Sequence, residues 1–524
     1  MKKTLSIIAA ALALFMALGC MPLSLAVKAR TVTPCWTVPA GYNAHDYNAC
    51  ASFLEQTDED GVKNGEKLSE NYDPNDPATW GTYWGYDDDW NDEELTRFTW
   101  SSVGGTLRIT SIFLEDDYTG YEWQALVGSF DVSGCTALEN LNCSDNALTE
   151  LDVSGCTALR QLNCWNNALT ELDVSGCTAL EELSCMGNAL TELDVSGCTA
   201  LEYLRCMGNA LTELDVSGCT ALEYLRCMGN ALTELDVSSN TALRQLDCYG
   251  NALTELDVSN NTALTSLICY GNALTELDVS NNTALWRLYC DDNALTELDV
   301  SSNIALGSLD CSDNALTELD VSGCIALEYL NCENNALTEL DVSSCTALTE
   351  LYCNDNVLTE LDLSGNTELN SVDCRNNRLT EILLSYTLFP VQTLRAEGIG
   401  YVGVIDNFDS GWNFNVCAYA GTGAEFLGWY DETGALVSET EEFTVDGSYT
   451  ELIARFEGGA VPGDMSGDGV VDIVDALSIL RAAMGLITAT PEQIAVCDMD
   501  GDNELTVADA LQVMRTAMSL IILD

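Results

Sequence analysis

Two twelve-residue stretches near the C-terminus carry oxygen-bearing side chains at the spacing a hard divalent cation requires. Residues 464–475 read DMSGDGVVDIVD and residues 498–509 read DMDGDNELTVAD. Taken as loops, they place side-chain oxygens at positions 1, 3, 5, 9 and 12. These are Asp464, Ser466, Asp468, Asp472 and Asp475, then Asp498, Asp500, Asp502, Thr506 and Asp509. Position 7 adds a main-chain carbonyl, from Val470 and Glu504. An all-oxygen cage drawn from one short loop suits calcium, not the Cys/His chemistry of zinc. Ser466 is a neutral and weaker ligand, and Asp replaces the usual Glu at position 12. Asn503 stands where Gly usually makes the turn, a place Asn can fill because it tolerates the left-handed region.

Catalytic chemistry finds no comparable footing. The chain has one histidine, His45, and no zinc motif, so a Ser-His-Asp or Cys-His arrangement would have to use that residue alone. Carboxylates abound, but they recur on what reads as the outward face of a repeat, without the pocket that glycoside hydrolysis uses. The formal net charge of -64 argues against nucleic acid and anionic membrane surfaces, which need a basic footprint.

The elements that position the two loops are themselves duplicated. Each loop runs into a similar helix, VDALSILRAAMG and ADALQVMRTAMS, and the copies are offset by 34 residues throughout. No helix precedes the first loop, which sets the unit apart from an ordinary helix–loop–helix. This loop–helix duplication resembles a dockerin domain, over 464–521. The resemblance implies an all-α fold around two Ca²⁺ ions and docking onto a cohesin module of a scaffoldin in a cellulosome-type assembly. It also implies that cohesin is met by Ile473, Val474 and Arg481, or in the reversed orientation by Val507, Ala508 and Arg515.

Most of the chain is a second duplication. Twelve copies of a 21-residue unit occupy 138–390, typified by LEYLRCMGNALTELDVSGCTA from Leu201 to Ala221. A strict period of this length means a solenoid, since each unit buries its apolar face only against its neighbours. The L-x-x-L-x-C-x-x-N-x-L half resembles the leucine-rich repeat signature, with Cys where a third Leu often sits. The fold class expected is therefore an α/β leucine-rich repeat solenoid whose short parallel strands line a concave face. Asn follows the strand in all twelve copies, from Asn146 to Asn377, and its amide can satisfy the adjacent turn. The LTELDVS half is the return path, with Leu and Val inward and Glu and Asp outward. The outward residues stack into ladders of like charge at ~5 Å, read as solvated carboxylates and not as a cation sheath.

Of the 24 cysteines, twelve form an inward column from Cys143 to Cys374. A coil spacing of about 4.8 Å exceeds the Cβ separation a disulfide prefers, so these are buried thiols. A second column alternates Cys (135, 156, 177, 198, 219, 324, 345) with Asn (240, 261, 282, 303, 366), which also excludes disulfide pairing there. Cys35 with Cys50 is the one plausible bridge. So many thiols outside a cell suit an anaerobic setting.

Positions three, five and seven of the repeat should face the concavity. They hold Trp165, Tyr203, Arg205, Met207, Tyr224, Arg226, Met228, Tyr249, Ile268, Tyr270, Arg287 and Tyr289, with Gly at position eight from Gly187 to Gly271. Tyr, Trp, Met and Arg are the types enriched at interface hot spots, so this face is the candidate ligand surface for a protein or glycan. Near-identical copying of the Leu201 unit is the alternative source of the repeated Tyr, Arg and Met.

Around the solenoid, residues 1–29 read as a signal peptide: Lys2 and Lys3, an apolar run, and small residues up to Ala29. The alternatives are an uncleaved anchor and a lipoprotein box at Cys20, in which Ala17 replaces the usual Leu. Residues 30–137 hold a helix over Tyr42–Leu54, Trp80, Trp84, Trp90, Phe98 and Trp100, and a strand over Leu107–Leu114. They resemble the N-terminal cap of extracellular leucine-rich repeat proteins, with His45 on the helix surface. Residues 391–457 resemble the small β-rich modules of internalin-like surface proteins, and 458–463 are a linker. The function expected is a secreted, non-catalytic binding protein, free of the membrane after signal cleavage and held in a cell-surface cellulosome-like complex. An adhesin or structural spacer is the alternative, and a polysaccharide-degrading enzyme comes last.

Overall fold

The computed structural model describes residues 36–519, except 87–91, 116–124, 385–390, 407–413, 422, 446–448, 459–461, 467–470, 500 and 502–503. The leader, Cys35, Trp90, Asp468, Val470, Asp500 and Asp502 lie outside the described residues. Two compact units, 1–314 and 315–524, are taken in turn.

In the first unit, three-residue strands recur every 21 residues, from Asn140–Asn142 through Tyr203–Arg205 to Ser308–Asp310. Neighbours pair parallel and in register, Leu204 opposite Leu225 and Leu183. The middle Leu of each strand points inward, while the residues flanking it face the other side, as Tyr203 and Arg205 do around Leu204. Among the described residues the repeats contain no helix. Among the described residues, helix is confined to Ala44–Leu54, Asn64–Leu68 and Pro77–Thr79 before the repeats and to the C-terminal segment.

The Asn column is what joins coil to coil. Asn209 Oδ1 accepts the Leu190 N–H of the preceding coil at 3.0 Å. Its Nδ2 donates to Cys185 O at 3.1 Å and Cys206 O at 3.0 Å. The same pattern recurs at Asn230 and Asn251. One amide thus satisfies three main-chain groups that no strand ladder reaches.

The Cys/Asn column has an equally local reason. Cys156 Sγ lies 3.1 Å from Val132 O, and Cys198 Sγ 3.4 Å from Val174 O. Where Asn takes over, Asn240 Nδ2 donates to Val216 O at 3.0 Å and to Cys219 O at 2.8 Å. Thiol and amide are interchangeable because both donate to the same buried carbonyl. Asn adds a cost, since Oδ1 of Asn240, Asn261, Asn282 and Asn303 finds no protein partner. Cysteines of both columns are fully buried, and burial pushes Cys206 and Cys198 up to about 12, so the thiolate is suppressed.

The Asp ladder is exposed to solvent, and hydrogen bonds give it a second role. Each Asp caps its own turn: Asp194, Asp215 and Asp236 accept the N–H two residues on at 2.9 Å. The Ser217 hydroxyl, then the Ser217 N–H, holds Asp215 below the usual carboxylate range, although Asp194 and Asp236 push it upward. Local hydrogen bonds outweigh the ladder's repulsion.

The segment before the repeats packs onto the first coil. Thr106–Phe113 pairs parallel with Asn140–Asn142 and so extends the sheet. Trp80, Tyr47, Phe98 and Phe53 form its core, Phe53 stacking on Phe130 at 4.2 Å. Side-chain amides imitate a neighbouring strand along Val127–Asp131. Asn64 exchanges two bonds with Val127 at 3.0 and 3.1 Å, and Gln56 two with Ser129 at 2.6 and 3.1 Å. Buried Asp46 pairs with Arg108 at 2.6 Å. His45 is not a plain surface residue: its Nε2 lies 2.6 Å from Ser133 O and ties the cap helix to the first coil.

In the second unit the coils continue at Tyr329–Asn331, Glu350–Tyr352 and Ser371–Asp373. The β-rich module follows directly. Val391–Glu397 pairs antiparallel with Glu381–Leu383, and Gly400–Asp406 meets Ser371–Asp373 through Ile405 and Asp373. Its core is Trp429, Val402, Val404 and Val416. The expected turn after FLGWY is present, with Asp431 Oδ1 accepting the Thr433 and Ala435 N–H groups at 2.9 Å.

The two cysteine columns should separate on substitution. Cys219→Asn is expected to cost less than about 1.5 kcal/mol, because the amide replaces the thiol's donor. Cys206→Asn, which has no such carbonyl to meet, should cost about 3 kcal/mol or more. Denaturant unfolding of the two variants compares them directly.

Candidate functional site

The first candidate site is the strand face of the first unit. Its residues fall into three rows running from coil to coil. Tyr203, Tyr224 and Arg287 belong to one row, and Arg205, Arg226, Ile268 and Tyr289 to the next. Trp165, Met207, Met228, Tyr249 and Tyr270 share the third, together with Met186. All are half-buried. Tyr203 stacks on Tyr224 with ring centroids 4.7 Å apart, and Tyr249 on Tyr270 at 4.3 Å. Arg287 lies 5.1 Å from the Trp286 ring and 5.5 Å from the Tyr289 ring.

The face carries more carboxylates than its aromatic character suggests. Arg205 pairs with Glu182, and Arg226 with the buried Asp247 at 3.1 Å. Asp247 also accepts Gln245 Nε2 at 2.9 Å, and burial raises its carboxyl despite these partners. Asp310 and Asp291 complete the set. Burial first, then Asp310, Asp292 and Asp313, push Asp291 up to about 7. Glu182, Asp247, Asp291 and Asp310 occupy the same repeat positions as the aromatic residues. The positional rule that selects Tyr and Arg therefore selects them too.

Beside the third row runs the left-handed turn position. Asp145 (φ 54°), Asn166 (φ 52°) and Asp292 (φ 49°) adopt it with side chains. Gly187, Gly208, Gly229, Gly250 and Gly271 adopt it without one, alongside Met186 to Tyr270. A Cβ on Gly229 would meet only Gly208 backbone, at 3.7 Å. The left-handed turn favours glycine, yet Asn and Asp take it in other coils, so glycine is not its only occupant.

The second candidate site is the pair of acidic loops. Asp472 and Asp475 begin helix Ile473–Ala483 as a capping box, Asp475 Oδ2 accepting the Asp472 N–H at 2.9 Å. Asp475 Oδ1 accepts the Ser466 N–H at 2.9 Å, and the Ser466 hydroxyl donates to Asp464 at 3.0 Å. In the second loop, Asp509 Oδ2 accepts the Thr506 N–H at 2.7 Å and Oδ1 the Met499 N–H at 2.8 Å, ahead of helix Val507–Ser519. Position 12 therefore staples its loop and also starts its helix.

The residues present fit a hard cation. Asp464, Asp475 and Asp509 are buried carboxylates, and among the described residues no salt bridge reaches Asp475 or Asp509. Buried charge of one sign needs a counter-charge, which a divalent ion would supply. Asp464, Ser466, Asp472 and Asp475 would hold one ion, and Asp498, Glu504, Thr506 and Asp509 the other. Asp468, Val470, Asp500 and Asp502 lie outside the described residues. Between the loops, burial and then Asp475, Asp464 and Asp509 push the Cys497 thiol up to about 12. The core joining the halves repeats itself at the 34-residue offset: Ala476 with Ala510, Ile479 with Val513, Met465 with Met499.

The type I dockerin domain family matches residues 462–516. This segment is a dockerin. No curated protein matches the chain. Among solved structures, the functional domain of InlJ from Listeria monocytogenes, described as including a cysteine ladder, is similar at 29% identity. That match covers 61% of this chain and 90% of that one, with a TM-score of 0.35. An internalin (inlF) from Listeria monocytogenes is similar at 24% identity, over 48% of this chain and 82% of that one, with a TM-score of 0.41. The leucine-rich effector YopM from Yersinia pestis is similar at 25% identity, over 52% and 79%, also with a TM-score of 0.41.

The dockerin exposes equivalent corners of its two long helices. Ile473 and Val474 are both 56% exposed and Val507 is 52% exposed; Ala508, Arg481 and Arg515 are exposed as well. Leu477 and Leu511, also equivalent at the 34-residue offset, extend each apolar corner. The repeat itself marks that last pair.

Burial alone would raise the Asp509 carboxyl, but the Thr506 and Met499 N–H groups and the Thr506 hydroxyl hold it below the usual range. Its stabilising effect is therefore full near neutral pH and lost as pH falls through the folded pKa. Calorimetry without calcium should show the dockerin losing stability on acidification. Asp509→Asn should cost on the order of 1–3 kcal/mol at neutral pH and flatten that dependence. Added calcium should raise the wild-type transition and leave that of Asp509→Asn nearly unmoved.

Proposed function

We propose that the chain is a non-catalytic extracellular binding protein. Its dockerin, with calcium in both loops, docks onto a cohesin module of a scaffoldin, while the strand face of the solenoid holds a protein partner. The observation that carries this reading is the dockerin match over 462–516 joined to a solenoid with an aromatic, thioether and arginine face. The leader sequence supports delivery outside the cell. Among the described residues, no helix is long and apolar enough to cross a membrane.

A protein suits the face better than a glycan. Sugar rings stack on open aromatic faces, whereas Tyr203 and Tyr224 lie 6° from parallel and Tyr249 and Tyr270 13°, each ring covering its neighbour. The pairs present edges and hydroxyl groups. Thioethers such as Met186, Met207 and Met228 accommodate apolar side chains of varied shape. The lone His45 is engaged with the Ser133 carbonyl, which favours binding over histidine-dependent catalysis.

Capture of the full chain on immobilised cohesins should require calcium and should vanish in the double variant Asp468→Ala, Asp502→Ala. Replacing Ile473 and Val474 by Asp should leave capture within about threefold, since a second equivalent corner remains. Changing Val507 and Ala508 as well should abolish it. Failure to bind any cohesin of the same genome would sink the docking half. A partner retained from the native extracellular milieu by wild type, and lost on Tyr224→Ala with Tyr270→Ala, would place recognition on the strand face. Retention by both would reduce the solenoid to a spacer.

A further inference from the structure

The strand face is graded along its length, and the grading specifies an occupant. The third row is apolar for six coils, Trp165, Met186, Met207, Met228, Tyr249 and Tyr270, and then changes to Asp291. With coils about 4.8 Å apart, the apolar part spans roughly 24 Å, the length of about seven residues of extended polypeptide. The turn position beside it is bare glycine from Gly187 to Gly271 and regains a side chain at Asp292, where the apolar row ends. From Met186 to Tyr270 a main chain laid along the row therefore meets no side chain from that edge, while Asn166 stands beside the Trp165 end.

Charge then changes at one place. Glu182 is matched by Arg205 and Asp247 by Arg226, so the middle of the face is balanced. Asp291 is not balanced. Asp310 faces it from the next coil, with its Oδ1 held by the Ser312 hydroxyl at 2.7 Å, and Asp292 and Asp313 flank it. Tyr270 lies on its other side, itself raised by burial, by Tyr249 and by Asp291. Arg287 faces the Trp286 and Tyr289 rings and the Asp247 carboxylate. Half-buried, ringed by carboxylates and edged by an aromatic ring, Asp291 lacks only a cation. A lysine or arginine from outside would supply it and could also lie against the tyrosine.

We propose that the strand face binds an extended polypeptide segment, apolar along the Trp165–Tyr270 row and presenting a lysine or arginine to Asp291 and Asp310. This rests on the reading of that face as a binding surface. Such a segment belongs to an exposed arm or loop of a partner, because lying along the row takes about seven residues of extended chain with alternate side chains turned to the face, which a folded globular surface does not present. The cation engages ionised Asp291. The carboxyl, pushed up to about 7 in the free protein, gives binding a pH dependence near neutrality that the ordinary surface carboxylates do not have.

The test uses the full chain and two synthetic eight-residue peptides of alternating Leu and Ser, one ending in Lys amide and the other in Glu amide. Titration calorimetry should give one site for the Lys peptide, with affinity rising about tenfold from pH ~6 to ~8 as Asp291 ionises. The Glu peptide should bind at least about tenfold more weakly at the higher pH. Asp291→Asn should flatten the pH profile and erase the discrimination, while Tyr270→Ala should weaken both peptides. Asp173→Asn, in the outward ladder, controls for bulk charge and should change neither. Equal binding of the two peptides, discrimination that survives Asp291→Asn, or no binding of either overturns the proposal. Should the native partner be lost on Tyr224→Ala with Tyr270→Ala yet be indifferent to Asp291→Asn, this inference falls while the binding-face reading stands. Should no partner depend on the tyrosines, the reading itself falls.

Discussion

A coil of 21 residues cannot satisfy its own backbone. Its strand is three residues long, and although main-chain bonds to neighbouring coils continue past it, as from Cys206 N–H to Arg226 O at 2.9 Å and Gly208 N–H to Met228 O at 3.0 Å, further N–H and C=O groups in the turns are left over. The Asn column resolves this by giving each coil's turn to the next coil's amide: one oxygen accepts the N–H of the coil before, and one nitrogen donates to two carbonyls. Removing one such amide would leave three groups buried and unpaired, a penalty larger than the bonds are worth when made. The Val carbonyls are met in the same manner by Cys or Asn of the second column. A coil without its neighbour is therefore unsatisfied as well as exposed, and this makes the array cooperative.

That constraint fixes which positions are free to specify function. Leu, Cys and Asn are committed to coil-to-coil contacts, and the turn-capping Asp to its own turn. Positions three, five and seven of the repeat are not, and neither is the side chain at the left-handed turn position, which Gly, Asn and Asp each occupy. Variation at these four places costs the scaffold little. They are also where the first unit departs from uniform repetition: Tyr pairs, Met runs, bare glycine, then acid.

The periodicity made the scaffold readable, since a residue recurring every 21 positions must meet its own copies. Cysteine burial, the Asn role and the strand positions all follow from that one rule. What the period does not encode was harder to read. His45 looked like a helix-surface residue because its partner, the Ser133 carbonyl, is 88 residues away and outside any motif. The face carboxylates Glu182, Asp247, Asp291 and Asp310 carry no signal in residue type alone, since Glu and Asp are depleted at interface hot spots. Their meaning depends on whether an arginine stands in the adjacent coil, as beside Glu182 and Asp247, or not, as at Asp291. The Asp ladder was legible as a row of charge but not as a row of caps, since the deciding N–H lies two residues away in a turn whose shape the sequence leaves open. In the dockerin the 34-residue repeat exposed ligands, helices and twofold core together. The double use of Asp475 and Asp509, as loop staple and as helix cap, emerged only from the hydrogen bonds.

A net charge of -64 raises the question of how so acidic a chain remains folded and where it can be specific. Like charges at coil spacing should repel, yet Asp215 ionises more readily than a free aspartate because a hydroxyl and an N–H are fixed on it. The capped aspartates of the ladder are thereby held without destabilising the coil, and as one repeated, exposed row they are non-selective as a surface. Selectivity can come only from carboxylates whose surroundings are unlike the rest. Asp475 and Asp509 are distinguished by burial among oxygen ligands, which suits calcium. Asp291 is distinguished by burial among other carboxylates at the end of an apolar row, which suits an organic cation on a chain. The same side chain thus caps turns in the ladder and, on the readings proposed above, binds metal in the dockerin and a basic residue at Asp291, and the hydrogen bonds and charges around each copy distinguish the three.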